Sequence, residues 1–273
     1  MMKVAASDYD GTLFRQDRIA KSDAEAIKKW REAGHKFGVV SGRDHGMLVP
    51  QLQHYGVGYD YLACNNGGII CTADGKVLWE AKIAPEMLAA LTHLPLVRKS
   101  FHFALSAADR TYLCHASEGT WVIREAKQWN FPIVNIEESE VGHLPQTIHQ
   151  FALGFTNPED AFAASDEVNA KFGDVVHAYP NRCAVDITPK EISKEQAIDH
   201  TLKLMGWQGA EIFAIGDEVN DLPMIEAFNG YTVTTTPSRP RPAAPTRASA
   251  RCCSPTFNPP PRACICVYIY FFL

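Results

Sequence analysis

The spacing of apolar residues in the first 80 positions predicts strands that alternate with helices. Short apolar runs, which are typical of buried strands, occupy 3–7, 36–40 and 61–64. Segments with apolar residues on one helical face occupy 22–34 and 44–55. We predict that Ser22 caps the first helix, since Glu25 follows three residues later as in a capping box, and that Gly34 ends it.

The same alternation returns near the other end of the chain. After a predicted hairpin at 67–80, a helix is expected at 193–206, where Ser193 is the cap and Gly206 the stop. A strand at 211–215 and a short helix at 221–228 follow. Such alternation predicts an α/β fold with a parallel sheet and helices on both of its faces. Ligands of these sheets bind beyond the carboxyl ends of the strands.

The region between these two parts predicts a second α/β unit with an antiparallel sheet. Helices are expected at 84–94 and 157–173, and Asn157 before Pro158 is typical of a helix start. Strand candidates lie at 102–106, 111–116, 147–155 and 183–187. We expect the chain to cross between the two units near 81–83 and 188–190.

Composition argues against several classes of protein. The formal net charge is -5 at pH 7, so nothing favours a nucleic acid as partner. No apolar run approaches the roughly 18 residues that a membrane-spanning helix needs. No N-terminal signal is visible, so we expect a cytoplasmic protein without a membrane partner. Four scattered cysteines are interpreted as reduced thiols; they are Cys64, Cys71, Cys114 and Cys183.

Residues with metal-binding and phosphate-binding chemistry follow the predicted strands. They are Asp8 and Asp10 after the first strand, Ser41 and Gly42 after the second, Asp217, Asn220 and Asp221 after the strand at 211–215, and Lys194 at the start of the helix at 193–206. If those strands are neighbours, four carboxylates meet at one edge of the sheet, and their repulsion is strongly unfavourable without a cation. Because all the ligands are oxygens, Mg²⁺ is the expected cofactor.

Four short motifs resemble those of the haloacid dehalogenase (HAD) superfamily and occur in its order. They are DYDGT (8–12), VVSGR (39–43), SKEQA (193–197) and IGDEVND (215–221). The segments CNNGG (64–68) and HAYPNRCAVDITPKEISK (177–194) resemble the Cof-type branch, subclass IIB. The resemblance implies a Rossmann-like parallel-sheet core at 1–81 and 189–233 with an inserted α/β cap domain at 82–188. It also implies hydrolysis of small phosphorylated metabolites, such as sugar phosphates.

The resemblance assigns a role to each motif residue. Asp8 would be the nucleophile that forms an aspartyl-phosphate, and Asp10 the general acid and base. Mg²⁺ would be held by the Asp8 carboxylate, the Asp10 main-chain carbonyl and Asp217, with Asp221 and Asn220 ordering the ligands. Ser41, the Gly42 N–H and Lys194 would bind the phosphoryl oxygens, and Thr12 would order the nucleophile loop. Weaker candidates for substrate contact are Arg43, Asn66, Gly67, Asn181 and Arg182, of which Arg182 would suit a second anionic group.

Other interpretations of these residues and of the function stay open. Lys190 lies four residues before Lys194 and could take its place, Arg43 could simply open a helix, and Asn66 and Gly67 could simply start the hairpin. A phosphotransferase or mutase is one alternative function. Mutases of this superfamily usually carry their cap between the first two motifs, where this chain has only about 30 residues. A catalytically impaired protein that binds phosphorylated metabolites is the other alternative.

The composition changes abruptly after Glu226, beyond which there is no Asp or Glu. From Pro237 onward the chain has eight of its 17 prolines, five arginines, no lysine and four cysteines. We predict that 234–273 is not native to this fold, as after a shifted reading frame, and that it is disordered or poorly packed. A proline-rich docking tail and a zinc site at 252–253 and 264–266 are the alternatives.

Overall fold

The structure is a computed structural model that describes residues 1–115 and 120–233. Among these residues the strands form two sheets, one of seven strands and one of six. The predicted foreign segment, 234–273, and the end of the strand candidate at 111–116 lie outside the described residues. Within the described ranges, every helix is too short or too polar to cross a membrane.

The seven-stranded sheet contains both ends of the described chain. In spatial order its strands are β13 (Asn229–Thr232), β12 (Glu211–Gly216), β1 (Lys3–Ser7), β2 (Lys36–Val40), β3 (Tyr61–Cys64), β4 (Ile69–Thr72) and β5 (Val77–Glu80). The strands from β13 to β3 are parallel, and β4 and β5 form an antiparallel hairpin at the edge. The predicted parallel sheet, its strands and the hairpin are thereby confirmed.

Helices cover both faces of this sheet because its strands are apolar on both sides. One face packs against α1 (Lys21–Glu32) and α2 (His45–His54), and the other against α6 (Lys194–Leu204) and α7 (Leu222–Ala227). In β1, Ala5 faces the first pair of helices, whereas Val4 and Ala6 face the second. Full burial of each large apolar side chain contributes about 1.5–3 kcal/mol, so packing on both faces stabilises the sheet from whose edge the loops leave.

The six-stranded sheet is built from the middle of the chain. Its strands, in spatial order, are β10 (Val176–Asn181), β11 (Ala184–Pro189), β9 (Gln150–Gly154), β6 (His102–Ser106), β7 (Thr111–Cys114) and β8 (Ile133–Asn135). All neighbours are antiparallel except β7 and β8. The helices of this part are α3 (Pro85–Thr92), α4 (Trp121–Trp129) and α5 (Pro158–Phe172). In the described chain these strands pair only with one another, so neither sheet is interrupted by the other.

Several expectations about helix ends and elements can be compared with the structure. Ser193 caps α6 by accepting a hydrogen bond from the Gln196 N–H at 3.2 Å, as predicted. The prediction for Ser22 is wrong: the Ala20 carbonyl accepts the bond from the Ala24 N–H, which places Ser22 inside the first turn. The helix α4 and the strands β8 and β10 were not predicted from the sequence.

Packing of α4 joins the two sheets. The apolar side chains of this helix contact the six-stranded sheet and also α2 of the other part; the shared cluster is Met47, Ala104, Leu113, Val122, Ala126 and Phe131. As a consequence, the polar face of α4 lies beside the loop that connects β2 with α2.

Candidate active site

The carboxyl ends of three neighbouring strands place the motif residues side by side. β1 lies between β12 and β2, with Ser7 opposite Ile215. The Asp8 N–H donates to the Ile215 carbonyl at 2.8 Å, and the Ser41 N–H donates to the Ala63 carbonyl at 2.9 Å. The loops that follow the strands therefore leave the sheet at one edge, where the pattern predicted a site.

A buried ion-pair triad lies at the centre of this edge. The Lys194 ammonium donates to Asp8 Oδ1 at 2.6 Å and to Asp221 Oδ1 at 2.5 Å. The side chains of Lys194, Asp8 and Asp221 are 2%, 7% and 0% exposed, so the three charges depend on one another. Lys190, the alternative lysine, is half exposed and pairs with Asp174 at 3.7 Å, whereas Lys194 pairs with Asp8 and Asp221.

The surroundings of the triad disfavour the ionised form of Asp8 and favour the ionised form of Lys194. Burial raises the pKa of Asp8, and the Asp221 carboxylate raises it further, whereas Lys194 lowers it. Burial alone would lower the pKa of Lys194, but Asp221 and Asp8 raise it well above its usual value. Lys194 therefore stays charged, and it partly offsets the rise in the Asp8 pKa that burial and Asp221 cause.

Asp221 holds the loop after β12 in place. Its Oδ2 accepts from the main-chain N–H groups of Asp217 at 2.9 Å and Glu218 at 3.0 Å, while its Oδ1 accepts from Lys194. Both oxygens of this carboxylate are thus occupied by protein donors. Its position indicates that Asp221 orders the loop and does not need a further ligand.

Asp217 faces Asp8 across the same space. The Thr12 hydroxyl donates to Asp217 Oδ1 at 2.5 Å, which ties the loop after β1 to the loop after β12. Burial raises the pKa of Asp217 to about 6, the Thr12 hydrogen bond lowers it, and Asp221 raises it again. One oxygen from each of Asp8, Asp217 and Asp221 lies within 4.8 Å of the others.

This carboxylate group fits a hard divalent cation. All donors are oxygens, the charges repel without a cation, and the second oxygens of Asp8 and Asp217 have no hydrogen bond from the described residues. Asn220 lies at the rim, where its amide donates to Asn66 Oδ1 at 3.2 Å.

Asp10 points away from this group toward an arginine. Arg43 Nε and one terminal nitrogen donate to the two Asp10 oxygens at 2.7 and 2.8 Å, and the other terminal nitrogen donates to Glu125 at 2.7 Å. The guanidinium also lies over the Tyr9 ring, 5.2 Å from its centroid. Arg43 therefore links the loop after β1 to α4, and the Asp10 side chain stays 53% exposed.

Other predicted residues lie in the loop after β2 and in the turn after β3. Ser41 is 1% exposed, and its hydroxyl accepts from the Arg43 N–H at 3.1 Å, with Gly42 between them. Asn66 is buried in a turn with Gly67, and Gly67 packs so closely against Ala197 of α6 that a Cβ there would overlap it. These residues lie at the site, and their contact with a substrate stays a prediction.

The residues at the turn between β10 and β11 lie at the rim. Arg182 is 76% exposed and pairs with Glu218 at 3.0 Å, so its guanidinium is already engaged by the loop after β12. Asn181 is exposed and pairs with Ala184 across the turn. Neither side chain reaches the triad through a hydrogen bond within the described chain.

Three residues at the site were missed from the sequence. Asp186 Oδ2 accepts from the Asn66 amide at 3.1 Å, and Gln150 Nε2 donates to Asp186 Oδ1 at 3.3 Å and to the Gly42 carbonyl at 3.2 Å. Burial raises the pKa of Asp186 to about 6, which Asn66 and Lys194 oppose. The third is Glu125, which could have been found from the helical spacing of Val122, Ala126 and Trp129.

The site requires a residue without a side chain at position 11. Its φ is +84°, and a Cβ there would overlap the Asp217 carboxylate. We expect Gly11→Ala to cost about 1–2 kcal/mol in left-handed strain and to lower kcat/KM at least tenfold by displacing Asp217. Gly34→Ala is the matched control, because Gly34 has φ +86° and open space around it. Equal kcat/KM for the two variants would contradict this account.

Burial of the Asp217 carboxylate, together with repulsion from Asp221, predicts a stability effect of Asp217. Because its folded pKa is raised to about 6, ionised Asp217 costs stability, and that cost appears as pH rises from about 4 to 6. We expect metal-free Asp217→Asn to be about 1–2 kcal/mol more stable than wild type at pH 7.5, since partial exposure reduces the full effect. Mg²⁺ should raise the melting temperature of wild type and not of the variant.

Thermal unfolding with EDTA or with Mg²⁺ measures both effects. Asp174→Asn is the control, because this side chain is fully exposed and does not belong to the carboxylate group. A metal-free Asp217→Asn protein that is less stable than wild type would show that burial and repulsion of the ionised Asp217 carboxylate do not limit stability.

Comparison with known proteins assigns the chain to a family. A family model described as haloacid dehalogenase-like hydrolase matches residues 5–240. The chain therefore belongs to the haloacid dehalogenase-like hydrolases, as the motifs indicated. The match ends inside the predicted foreign segment, so the origin of 234–273 stays a prediction.

Relatives with known names support the enzyme class, and a solved structure supports the fold. The chain is 27% identical over 234 residues to a pyridoxal phosphate phosphatase of Escherichia coli, covering 82% of this chain and 85% of that protein. It is 22% identical over 228 residues to an HMP-PP phosphatase of Yersinia pseudotuberculosis, covering 82% and 81%. The structure of a HAD subclass IIB sugar phosphatase matches with a TM-score of 0.67 at 20% identity, covering 86% and 89%. The predicted α/β fold and the phosphatase class are confirmed.

Proposed function

We propose that this hydrolase is a Mg²⁺-dependent phosphatase that cleaves monoesters of small phosphorylated metabolites through a covalent phosphoryl group on Asp8. The observation that carries the proposal is the buried Asp8 carboxylate, bonded to Lys194 and facing Asp217 at the carboxyl end of β1. The names of the relatives, which act on pyridoxal phosphate, HMP-PP and a sugar phosphate, support a small phosphorylated substrate.

The first half of the reaction forms the phosphoenzyme. The second oxygen of Asp8, which has no hydrogen bond from the described residues, attacks phosphorus and forms a P–O bond, while the bond from phosphorus to the leaving oxygen breaks. Asp10 gives its proton to that leaving oxygen, so the alcohol departs uncharged. The Asp10 side chain is 53% exposed, so a leaving group can reach it, and the proposal requires Asp10 to exchange a hydrogen bond with Arg43 for one with the leaving oxygen.

The second half returns the enzyme to its starting state. Asp10, now ionised, takes a proton from water as the water oxygen attacks phosphorus. The bond from phosphorus to Asp8 breaks, and inorganic phosphate leaves with Asp8 again a carboxylate. The sum is one ester and one water converted into one alcohol and one phosphate.

Positioning of the phosphoryl group falls to residues around Asp8. The Ser41 hydroxyl, the Gly42 N–H and the Lys194 ammonium would bind its oxygens, since they lie on the loops beside the triad. The residues that would hold Mg²⁺ are the Asp8 carboxylate, the Asp10 carbonyl and Asp217, with Asp221 and Asn220 ordering them. When bound, the ion neutralises charge on the phosphoryl oxygens and on the carboxylates.

Residues 82–188 would act as a cap over this edge. Contacts of Arg43 with Glu125 and of Asn66 with Asp186 support the proposal, because they place the six-stranded sheet and α4 against the loops that carry the motifs. A cap in this position excludes water and contacts the leaving group.

Hydrolysis of p-nitrophenyl phosphate with Mg²⁺ and with EDTA tests the proposed function. We expect release of phosphate that needs the divalent ion, and a screen of phosphorylated metabolites then ranks substrates. Absence of phosphate release from every ester would favour the binding-protein alternative. Transfer of phosphate to an added sugar in preference to water would favour the mutase.

A further inference from the structure

We propose that Asp186 is a specificity-determining residue of the proposed phosphatase. It accepts hydrogen bonds from hydroxyl or ammonium groups next to the phosphate, and it disfavours a second anionic group there. The inference rests on the proposed function and adds the substrate class: polyhydroxylated or amino-substituted monophosphates, in preference to bisphosphates and phosphocarboxylates.

Asp186 lies beside the loop proposed to bind phosphate. Asp186 lies in β11 and faces Gly42, which belongs to the loop proposed to bind phosphate. A Cβ added to Gly42 would lie 3.3 Å from Asp186 Oδ2. Gln150 bridges the two by donating to the Gly42 carbonyl and to Asp186 Oδ1. The carboxylate therefore lies where the part of a substrate next to its phosphate would lie.

The Asp186 carboxylate can accept more hydrogen bonds than the described chain supplies. A carboxylate has about four acceptor sites. Asp186 receives hydrogen bonds only from the amides of Asn66 and Gln150 within the described chain. Lys194, a cation that acts on it electrostatically, is bonded instead to Asp8 and Asp221. Because Asp186 is partly exposed, a substrate can supply the further donors.

The charged groups near Asp186 disfavour a second anionic group on the substrate. Glu125, an acid that α4 brings to the site, is 26% exposed and shares Arg43 with Asp10. Arg182 is paired with Glu218 at the rim. A second phosphate or carboxylate would thus meet acids and find both arginines engaged, whereas hydroxyl and ammonium groups would meet acceptors. This differs from the second-anion role expected for Arg182 from the sequence.

A purely structural role for Asp186 makes a different prediction. If this carboxylate only fastened the six-stranded sheet to Asn66, its loss would lower activity on all esters by the same factor. If it binds the leaving group, the loss depends on which ester is used. The ratio of kcat/KM values between esters therefore separates the two roles, whatever happens to stability.

The experiment compares wild type, Asp186→Asn and the exposed control Asp174→Asn, all as the full chain with Mg²⁺. Two esters carry hydrogen-bond donors: glucose 6-phosphate and glucosamine 6-phosphate. Two carry a second anionic group: fructose 1,6-bisphosphate and 3-phosphoglycerate. The fifth ester, p-nitrophenyl phosphate, carries neither. We expect wild type to prefer the donor-bearing esters to the doubly anionic ones at least tenfold in kcat/KM. Asp174→Asn should equal wild type on every ester.

Asp186→Asn should lose about 10- to 100-fold more kcat/KM on the donor-bearing esters than on p-nitrophenyl phosphate, as expected for a hydrogen bond to a charged group. An equal loss on both kinds of ester, or a wild-type preference for doubly anionic esters, would overturn the inference. The wild-type comparison holds even if the variant does not fold. Failure of the proposed function gives a different result, since wild type would then release no phosphate from p-nitrophenyl phosphate.

Discussion

Asp8→Asn should abolish turnover while the protein stays folded. Amide oxygen is a poor nucleophile, so the covalent step that the Asp8 carboxylate performs is lost, and we expect kcat to fall by about 10⁴-fold or more. The amide has the same size as the carboxylate, and its oxygen can still accept from Lys194, so the loop after β1 should keep its position. Steady-state hydrolysis of p-nitrophenyl phosphate and the far-UV circular dichroism spectrum measure the two effects.

A second measurement ties the loss to the covalent step. Wild type should release a burst of alcohol or trap a phosphoryl group on Asp8 when the reaction is quenched in acid, and the variant should not. Asp174→Asn controls for the removal of one negative charge. Activity of Asp8→Asn within tenfold of wild type would require another nucleophile and would overturn the proposed mechanism.

Lys194→Met should remove activity and also destabilise the fold. Its ammonium is the one hydrogen-bond donor that the described chain supplies to the side chain of Asp8, and it also holds Asp221. Methionine fills similar volume but leaves two buried carboxylates without their cation. Breaking such a buried pair costs about 3–5 kcal/mol, so denaturant unfolding of the metal-free protein should show a loss of this size.

Lys190→Met is the matched control for this substitution. The two lysines are four residues apart, and both could have been the motif lysine on sequence alone, but Lys190 is half exposed and pairs with Asp174 at 3.7 Å. Surface pairs of this kind contribute 0–1 kcal/mol, so we expect little change in stability or in kcat. If Lys190→Met were the inactive variant and Lys194→Met the active one, the assignment of the triad would be wrong.

Much of the fold followed from local pattern. The strands β1, β2 and β3 were predicted because each is a short apolar run, and buried parallel strands need apolar residues on both faces. Ser193 was predicted as a cap because its hydroxyl serves the first free N–H groups of α6. The same reasoning failed for Ser22, since side-chain chemistry at a helix start does not decide which carbonyl accepts the first helical bond.

The middle of the chain was predicted less completely. The helix α4 was missed although Val122, Ala126 and Trp129 have helical spacing, because the run is short and rich in aromatic and β-branched residues that also suit strands. The strands β8 and β10 were missed because three-residue and half-polar strands have little apolar signal. Their existence depends on partners in the six-stranded sheet.

The sequence by itself determined the chemistry of the site and the sheet edge that carries it. Asp8, Lys194 and Asp217 belong to short motifs at the ends of predicted strands and at a capped helix, and parallel strands place such ends at one edge of a sheet. Only the tertiary structure decided which partners those groups have. Arg43 meets Glu125 across 82 positions, and Asn66 meets Asp186 across 120. Contacts at such separations depend on how two sheets pack, and no local pattern of residues specifies that packing.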